Sequence, residues 1–128
     1  MGRSDHRRAF DAASHLVMLI NLAQQEAILS SSILQLELDL EESGYRFVQL
    51  RGSDFIEFTT RPLSGTHPLE AVSVQSLEIN GRETSDDLAG VFIYPTGEQE
   101  TFQMVLVAGE ERFVVSMGPV GEAWMEEL

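Results

Sequence analysis

AFDAASHLVMLINLAQQEAIL, residues 9–29, is a run without proline or glycine whose spacing decides how the rest of the chain is read. At helical periodicity Ala9, Ala13, Leu16, Ile20, Ala23 and Ala27 fall on one stripe, the pattern of a helix that lays a face on a core. Met18, Leu22 and Leu29 make a second apolar stripe roughly opposite, broken by Asp11 and Gln25. A helix that is apolar on both sides is ordinarily covered on both sides. Two covers are open: later strands or a loop of the same domain, or a helix of another protein. Ser4 or Asp5 can cap the helix start, since their side-chain oxygens accept from its first free amides. Hydroxyls at Ser30, Ser31 and Ser32 compete for the backbone and should end it.

The helix is followed by strands. Leu34, Leu36, Leu38 and Leu40 alternate with Gln35, Glu37 and Asp39, the period of two of a half-buried strand. Turns at 42–44 and 51–54 then give Tyr45 to Leu50 and Phe55 to Thr60, so residues 33–60 read as a three-stranded meander. RPLSGTHPL, residues 61–69, holds two prolines and a glycine and reads as a surface loop. Val72 to Ile79 resumes a strand, and Asn80-Gly81 signals a hairpin because both residues tolerate positive φ. Glu83 to Asp87 is an acidic loop. GVFIYPTGEQETFQMVLV, residues 90–107, reads as a hairpin around Pro95-Thr96-Gly97, and Phe113 to Ser116 with Ala123 to Met125 as a second sheet or a sheet extension. The expected fold is α+β: a long N-terminal helix packed on antiparallel β-sheets.

Composition narrows the chemistry. The chain has 128 residues, 43% of them apolar, enough for a single core. The longest apolar run, Leu16 to Ile20, is far short of the roughly 18 residues of a spanning helix, and no secretory signal peptide is visible. All 8 basic residues are arginine. Without lysine there is no phosphate-binding lysine, Schiff base or pyridoxal anchor. Without cysteine there is no thiol nucleophile, thiolate zinc site or disulfide. A net charge of −13 argues against a nucleic-acid backbone as partner. Arg3, Arg7 and Arg8 cluster at the start as solvated helix-end charges or a contact for lipid headgroups.

Catalytic constellations are weak. His6, His15 and His67 share no ligand-like spacing on one element. Ser64 lacks a nucleophile elbow, and with His67 reads as part of a turn. The pairs Asp54 with Glu57 and Glu110 with Glu111 flank turns, where carboxylates stay solvated rather than tuned for acid–base work. Glu83, Asp86 and Asp87 are a weak calcium candidate, lacking the alternating spacing of an EF-hand. Phe102 and Trp124 read as core or edge packing. No catalytic residue and no cofactor is expected, and the chain does not read as an enzyme.

The order of these pieces resembles the GspH family of type II secretion minor pseudopilins. The resemblance rests on Leu22 to Ile28, the alternating leucines from Leu34 to Leu40, and Gly44-Tyr45-Arg46-Phe47. It extends through Ile93-Tyr94-Pro95-Thr96-Gly97-Glu98, a strand opened by Phe102 with Met104 and Leu106, and the closing strands around Gly118, Gly121 and Trp124. It implies a non-catalytic subunit of a pseudopilus whose partners are other pseudopilins, with the outer-membrane secretin or secreted cargo as further contacts. It also implies a periplasmic domain on an inner-membrane anchor with a methylated, cleaved N-terminus. Family members open on a Gly-Phe-Thr-Leu-Ile-Glu type cleavage site and a membrane-spanning helix, neither of which is in this chain. Met1-Gly2-Arg3-Ser4 reads as a start codon and cloning remnant, as in a segment cut after a removed anchor. Residues 1–8 are then a start segment or helix lead-in, and residues 9–128 a single head domain carrying the lower part of the helix. Expected assembly contacts are Met18, Leu22 and Leu29 on the helix and Pro62, His67 and Pro68 in the loop. Minor type IV pilins share the layout but are expected to present a basic surface. A periplasmic domain binding a small apolar ligand between helix and sheet is the other alternative.

Overall fold

The computed structural model describes residues 2–128, with side chains from Ser4 onward. Helix α1 spans Gly2–Ser30. Ser4 and Asp5, expected at the cap, lie inside it, because no breaker interrupts the residues before Ala9; Asp5 instead accepts from Arg8 Nη1 at 3.3 Å. The side chain of Arg3, grouped above with Arg7 and Arg8, lies outside the described residues. The C-terminal end follows from the serines. Ser30 Oγ donates back to the Glu26 carbonyl at 2.7 Å, Ser31 takes a φ of 51°, and the Ser32 N–H returns to the Ala27 carbonyl at 3.0 Å. This is the side-chain competition that ends a helix.

Among the described residues ten strands form two antiparallel sheets. The first has the order β3 (Asp54–Glu57), β2 (Gly44–Arg51), β1 (Leu34–Asp39), β7 (Leu88–Ile93), with the two-residue β4 (His67–Pro68) continuing the β3 edge of β2. The second runs β10 (Ala123–Glu127), β9 (Glu111–Met117), β8 (Phe102–Ala108), β5 (Ser73–Ile79), β6 (Arg82–Glu83). The alternation along β1 is borne out: Leu34, Leu36 and Leu38 are buried, and the polar residues between them point outward. The β5–β6 turn also follows the sequence, with Asn80 and Gly81 at φ of 53° and 79°, as a two-residue hairpin requires.

Three expectations need correction. The stretch from Gly90 to Val107 is not a paired hairpin: β7 pairs with β1 in the first sheet, and β8 pairs with β5 and β9 in the second. The connection through Pro95 and Gly97 carries the chain across the molecule, with a lone bridge between Ile93 and Gln99. A period of two specifies a strand but not its partner. The strand expected at Phe55 to Thr60 stops at Glu57 as an exposed edge, and Phe58 turns to pack on the core. The loop at 61–69 is tied down, with Leu63 and Leu69 buried and β4 paired to β2.

The helix lies chiefly on the second sheet and reaches the first through β1 and β7. Ala9, Ala13, Leu16, Leu19, Ile20, Ala23 and Ala27 pack into one core with Leu34, Leu36 and Phe47 of the first sheet and Met104, Leu106 and Val115 of the second. Buried Gln49 and half-buried Asn21 find polar partners at this seam. Gln49 donates to Ser32 Oγ at 2.9 Å, and Asn21 Oδ1 accepts the Ala123 N–H at 2.9 Å.

Candidate assembly surface

The two apolar stripes of α1 have different fates. The inner stripe is sealed, with every member from Ala9 to Ala27 fully buried. On the outer stripe Met18 is 48% and Leu29 82% exposed, and Ile28 beside them is 55% exposed. Leu22 is half-buried and packs against the core, so it belongs partly to the domain itself. Within the described residues no strand or loop closes over Met18 and Leu29, which leaves an apolar ridge facing water.

Of the loop residues singled out from sequence, His67 and Pro68 lie beside the helix at His15. Pro62 and Pro68 are exposed and His67 is half-buried. The His67 ring stacks on Tyr45 at 5.3 Å between centroids and meets His15 edge-on at 5.6 Å. His15 sits one turn before Met18, within i,i+3 reach on the helix surface. The helix ridge and the loop therefore meet at the His15–His67 contact. A cleft of about 390 Å³ opens at this junction, lined among others by Asp11, His15, Tyr45 and Pro68. Burial of the His67 ring, with the nearby His15, lowers its pKa, against a smaller raising effect of a hydrogen bond with the Leu63 backbone. Burial raises the Tyr45 phenol in turn. The His67 Nε2 atom is buried without a hydrogen-bond partner.

The remaining sequence candidates are dispersed. Glu83, Asp86 and Asp87 are exposed and do not converge. Glu57 is engaged by Arg46 Nη1, and Glu37 accepts from Arg46 Nε at 2.6 Å, so these carboxylates form a surface ion-pair network, not an acid–base pair. Their hydrogen bonds raise the Arg46 pKa. Ser64 and His67 do not form a nucleophile pair: the histidine ring is turned to Tyr45 and His15. Phe102 is core, and Trp124 sits on edge strand β10, 46% exposed.

Three features were not read from sequence. The side chains of Gln99 and Glu100 complete the free edge of β7. Glu100 Oε1 accepts the Phe92 N–H at 2.6 Å, and Gln99 Oε1 accepts the Tyr94 N–H at 3.1 Å. Paired edges resist indiscriminate strand addition. A groove of about 520 Å³ crosses the outer face of the first sheet, where Gly44 and Gly90 leave room beside Glu37 and Arg46. Finally, His6, Glu111 and Glu127 converge from α1, β9 and β10. None of the three has a local sequence signal, since each joins residues from separate segments.

No helix among the described residues is long and apolar enough to cross a membrane. No protein-family model matches the sequence, and no curated protein matches it. Solved structures match the fold, two of them over nearly all of this chain. Both are of the minor pseudopilin EpsH from the type 2 secretion system of Vibrio cholerae. One superposes with a TM-score of 0.74 at 18% identity over 94% of this chain and 97% of that one. The other gives 0.78 at 17% identity over 96% and 97%. The chain thus has the fold of these minor pseudopilins over nearly its whole length.

Proposed function

We propose that this chain is a GspH-like minor pseudopilin, a non-catalytic subunit that packs its N-terminal helix against neighbouring subunits of a type II secretion pseudopilus. The observation that carries the reading is the exposed ridge of Met18 and Leu29, set on the back of a helix whose other face is sealed against its own head. In a free-standing domain such a ridge serves nothing; between subunits it supplies association energy. A large apolar side chain taken from fully exposed to fully buried contributes about 1.5–3 kcal/mol, so covering what remains exposed of these two supplies roughly 2–4 kcal/mol before the cost of association. The loop carrying Pro62, His67 and Pro68 adjoins the ridge at His15 and would select the neighbour. The native subunit is then periplasmic, held by an inner-membrane segment upstream of this chain with a methylated N-terminus, and its head contacts secretin or cargo. A net charge of −13 disfavours the DNA-uptake type of minor pilin.

The test is co-elution of this domain with the soluble domains of the other pseudopilins of its system, each prepared with its periplasmic helix. The wild-type chain should elute in a complex. Met18→Ser with Leu29→Ser should abolish it while leaving the isolated domain's urea midpoint within experimental error. A complex that survives both substitutions, or failure to bind any of these subunits, would overturn the proposal.

A further inference from the structure

The strands beneath the start of α1 break their own pattern at one place. Along β9 the residues that share the helix-facing side are Glu111, Phe113, Val115 and Met117. Along β10 they are Ala123, Met125 and Glu127, with Glu127 directly opposite Phe113. Both apolar series end in a carboxylate at the same corner of the sheet. There α1 delivers an imidazole. The His6 ring is held by Phe113, edge-on at 5.4 Å, and by Phe10, near-parallel at 6.4 Å. This leaves Nε2 3.0 Å from Glu127 Oε1. One donor atom from each of His6, Glu111 and Glu127 lies within 4.8 Å of the others.

A lone His–Glu pair would need one carboxylate, and this corner has two. Within the triad, His6 supplies at most one positive charge to two carboxylates, in a chain that is already strongly acidic. A divalent ion in place of the His6 proton neutralises both carboxylates. The geometry is within reach, because two ligands bound to one zinc ion at about 2.0–2.2 Å in a tetrahedron lie about 3.3–3.6 Å apart, so the 3.0 Å His6–Glu127 hydrogen bond need open only slightly. The other two separations, each within 4.8 Å, would close by rotation of the exposed Glu127 and half-buried Glu111 side chains. One imidazole nitrogen with two carboxylates is the donor set of a borderline ion such as Zn²⁺, whereas Ca²⁺ takes oxygen ligands.

We propose that His6, Glu111 and Glu127 form a zinc-class metal site that clamps the first turns of α1 to the closing strands, water completing the coordination. The test is titration of the full chain with ZnCl₂ against a chromophoric chelator at neutral pH, with thermal unfolding in parallel. A single zinc ion per chain should bind and raise Tm. His6→Gln and Glu127→Gln, both at exposed or half-buried surface positions, should each weaken binding by about ten-fold or more and remove the Tm shift. His15→Gln should do neither. The absence of zinc binding, or binding unchanged in both His6→Gln and Glu127→Gln, would overturn the proposal. So would loss of binding in His15→Gln, which would place the ion at the His15–His67 contact, and Ca²⁺ binding as tightly as Zn²⁺, which would mark a plain acidic cluster.

Discussion

His67 lies in a sandwich of rings, stacked on the buried Tyr45 and edge-on to His15, with its Nε2 shielded from water and unpartnered. Protonation would place a charge in that confined space beside a second imidazole, so burial and His15 lower its pKa from the ordinary 6.5. The sign of the pH effect follows. Below pH 6.5 the unfolded chain binds a proton that the native state refuses. Stability from this group is therefore complete above 6.5, falls as pH drops below it, and levels off once the native residue also protonates. His67→Phe keeps an aromatic ring against Tyr45 and removes the titration. Urea unfolding at several pH values between 7.5 and 5 should show a flatter dependence in the variant than in the wild type; identical slopes would mean that the ring is free to protonate in the fold. Nothing local announces this site. His15 and His67 stand on a helix flank and in a proline-rich loop; the pairing of β4 with β2 sets His67 beside Tyr45, and the packing of the helix brings His15 to it. The His6 cluster was hidden for the same reason, since its three residues lie at opposite ends of the chain.

Helix α1 divides its apolar residues between two jobs, and single substitutions should separate them. Leu16 is fully buried, so Leu16→Ala should cost about 2–5 kcal/mol in urea unfolding. Leu29→Ala, at 82% exposure, should change stability by no more than about 0.5 kcal/mol. Leu22→Ala should fall between them, because its side chain is shared between core and surface. Equal costs at Leu16 and Leu29 would refute the assignment of faces. The period of the apolar residues was enough to find both stripes and the leucine alternation of β1, because each is fixed by neighbours a few positions away. The misread hairpin shows where that information stops. Residues 91–93 and 102–107 are strands as expected, with Tyr94 already outside β7, yet each pairs with a segment far back in the chain, β1 and β5 respectively. The Gln99 and Glu100 side chains fill the β7 edge where a hairpin partner would have been. Glu100→Ala should leave the Phe92 N–H without its acceptor, at about 1–3 kcal/mol of stability.

The two sheets share hardly any backbone hydrogen bonds, so their union depends on side chains. Leu34 and Leu36 from one sheet and Met104 and Leu106 from the other belong to a single buried cluster, with α1 laid over both. Neither sheet can keep its inner face dry without the helix, and the helix cannot bury its inner stripe without the second sheet. A chain of this size with one shared core should unfold in a single transition. The spectroscopic probes are well separated for a test. Trp124 reports from edge strand β10 of the second sheet, whereas far-UV circular dichroism is weighted to α1. Urea curves from the two signals should coincide in midpoint and slope. An earlier fluorescence transition would instead mean that the second sheet opens while the helix holds, a helix secured mainly by the first sheet. Coincidence also bears on the proposed assembly. If neighbouring subunits grip the helix, position passes to the head only when the two move as one body, and a cooperative core would then make the ridge at Met18 and Leu29 a rigid handle for the β-rich head.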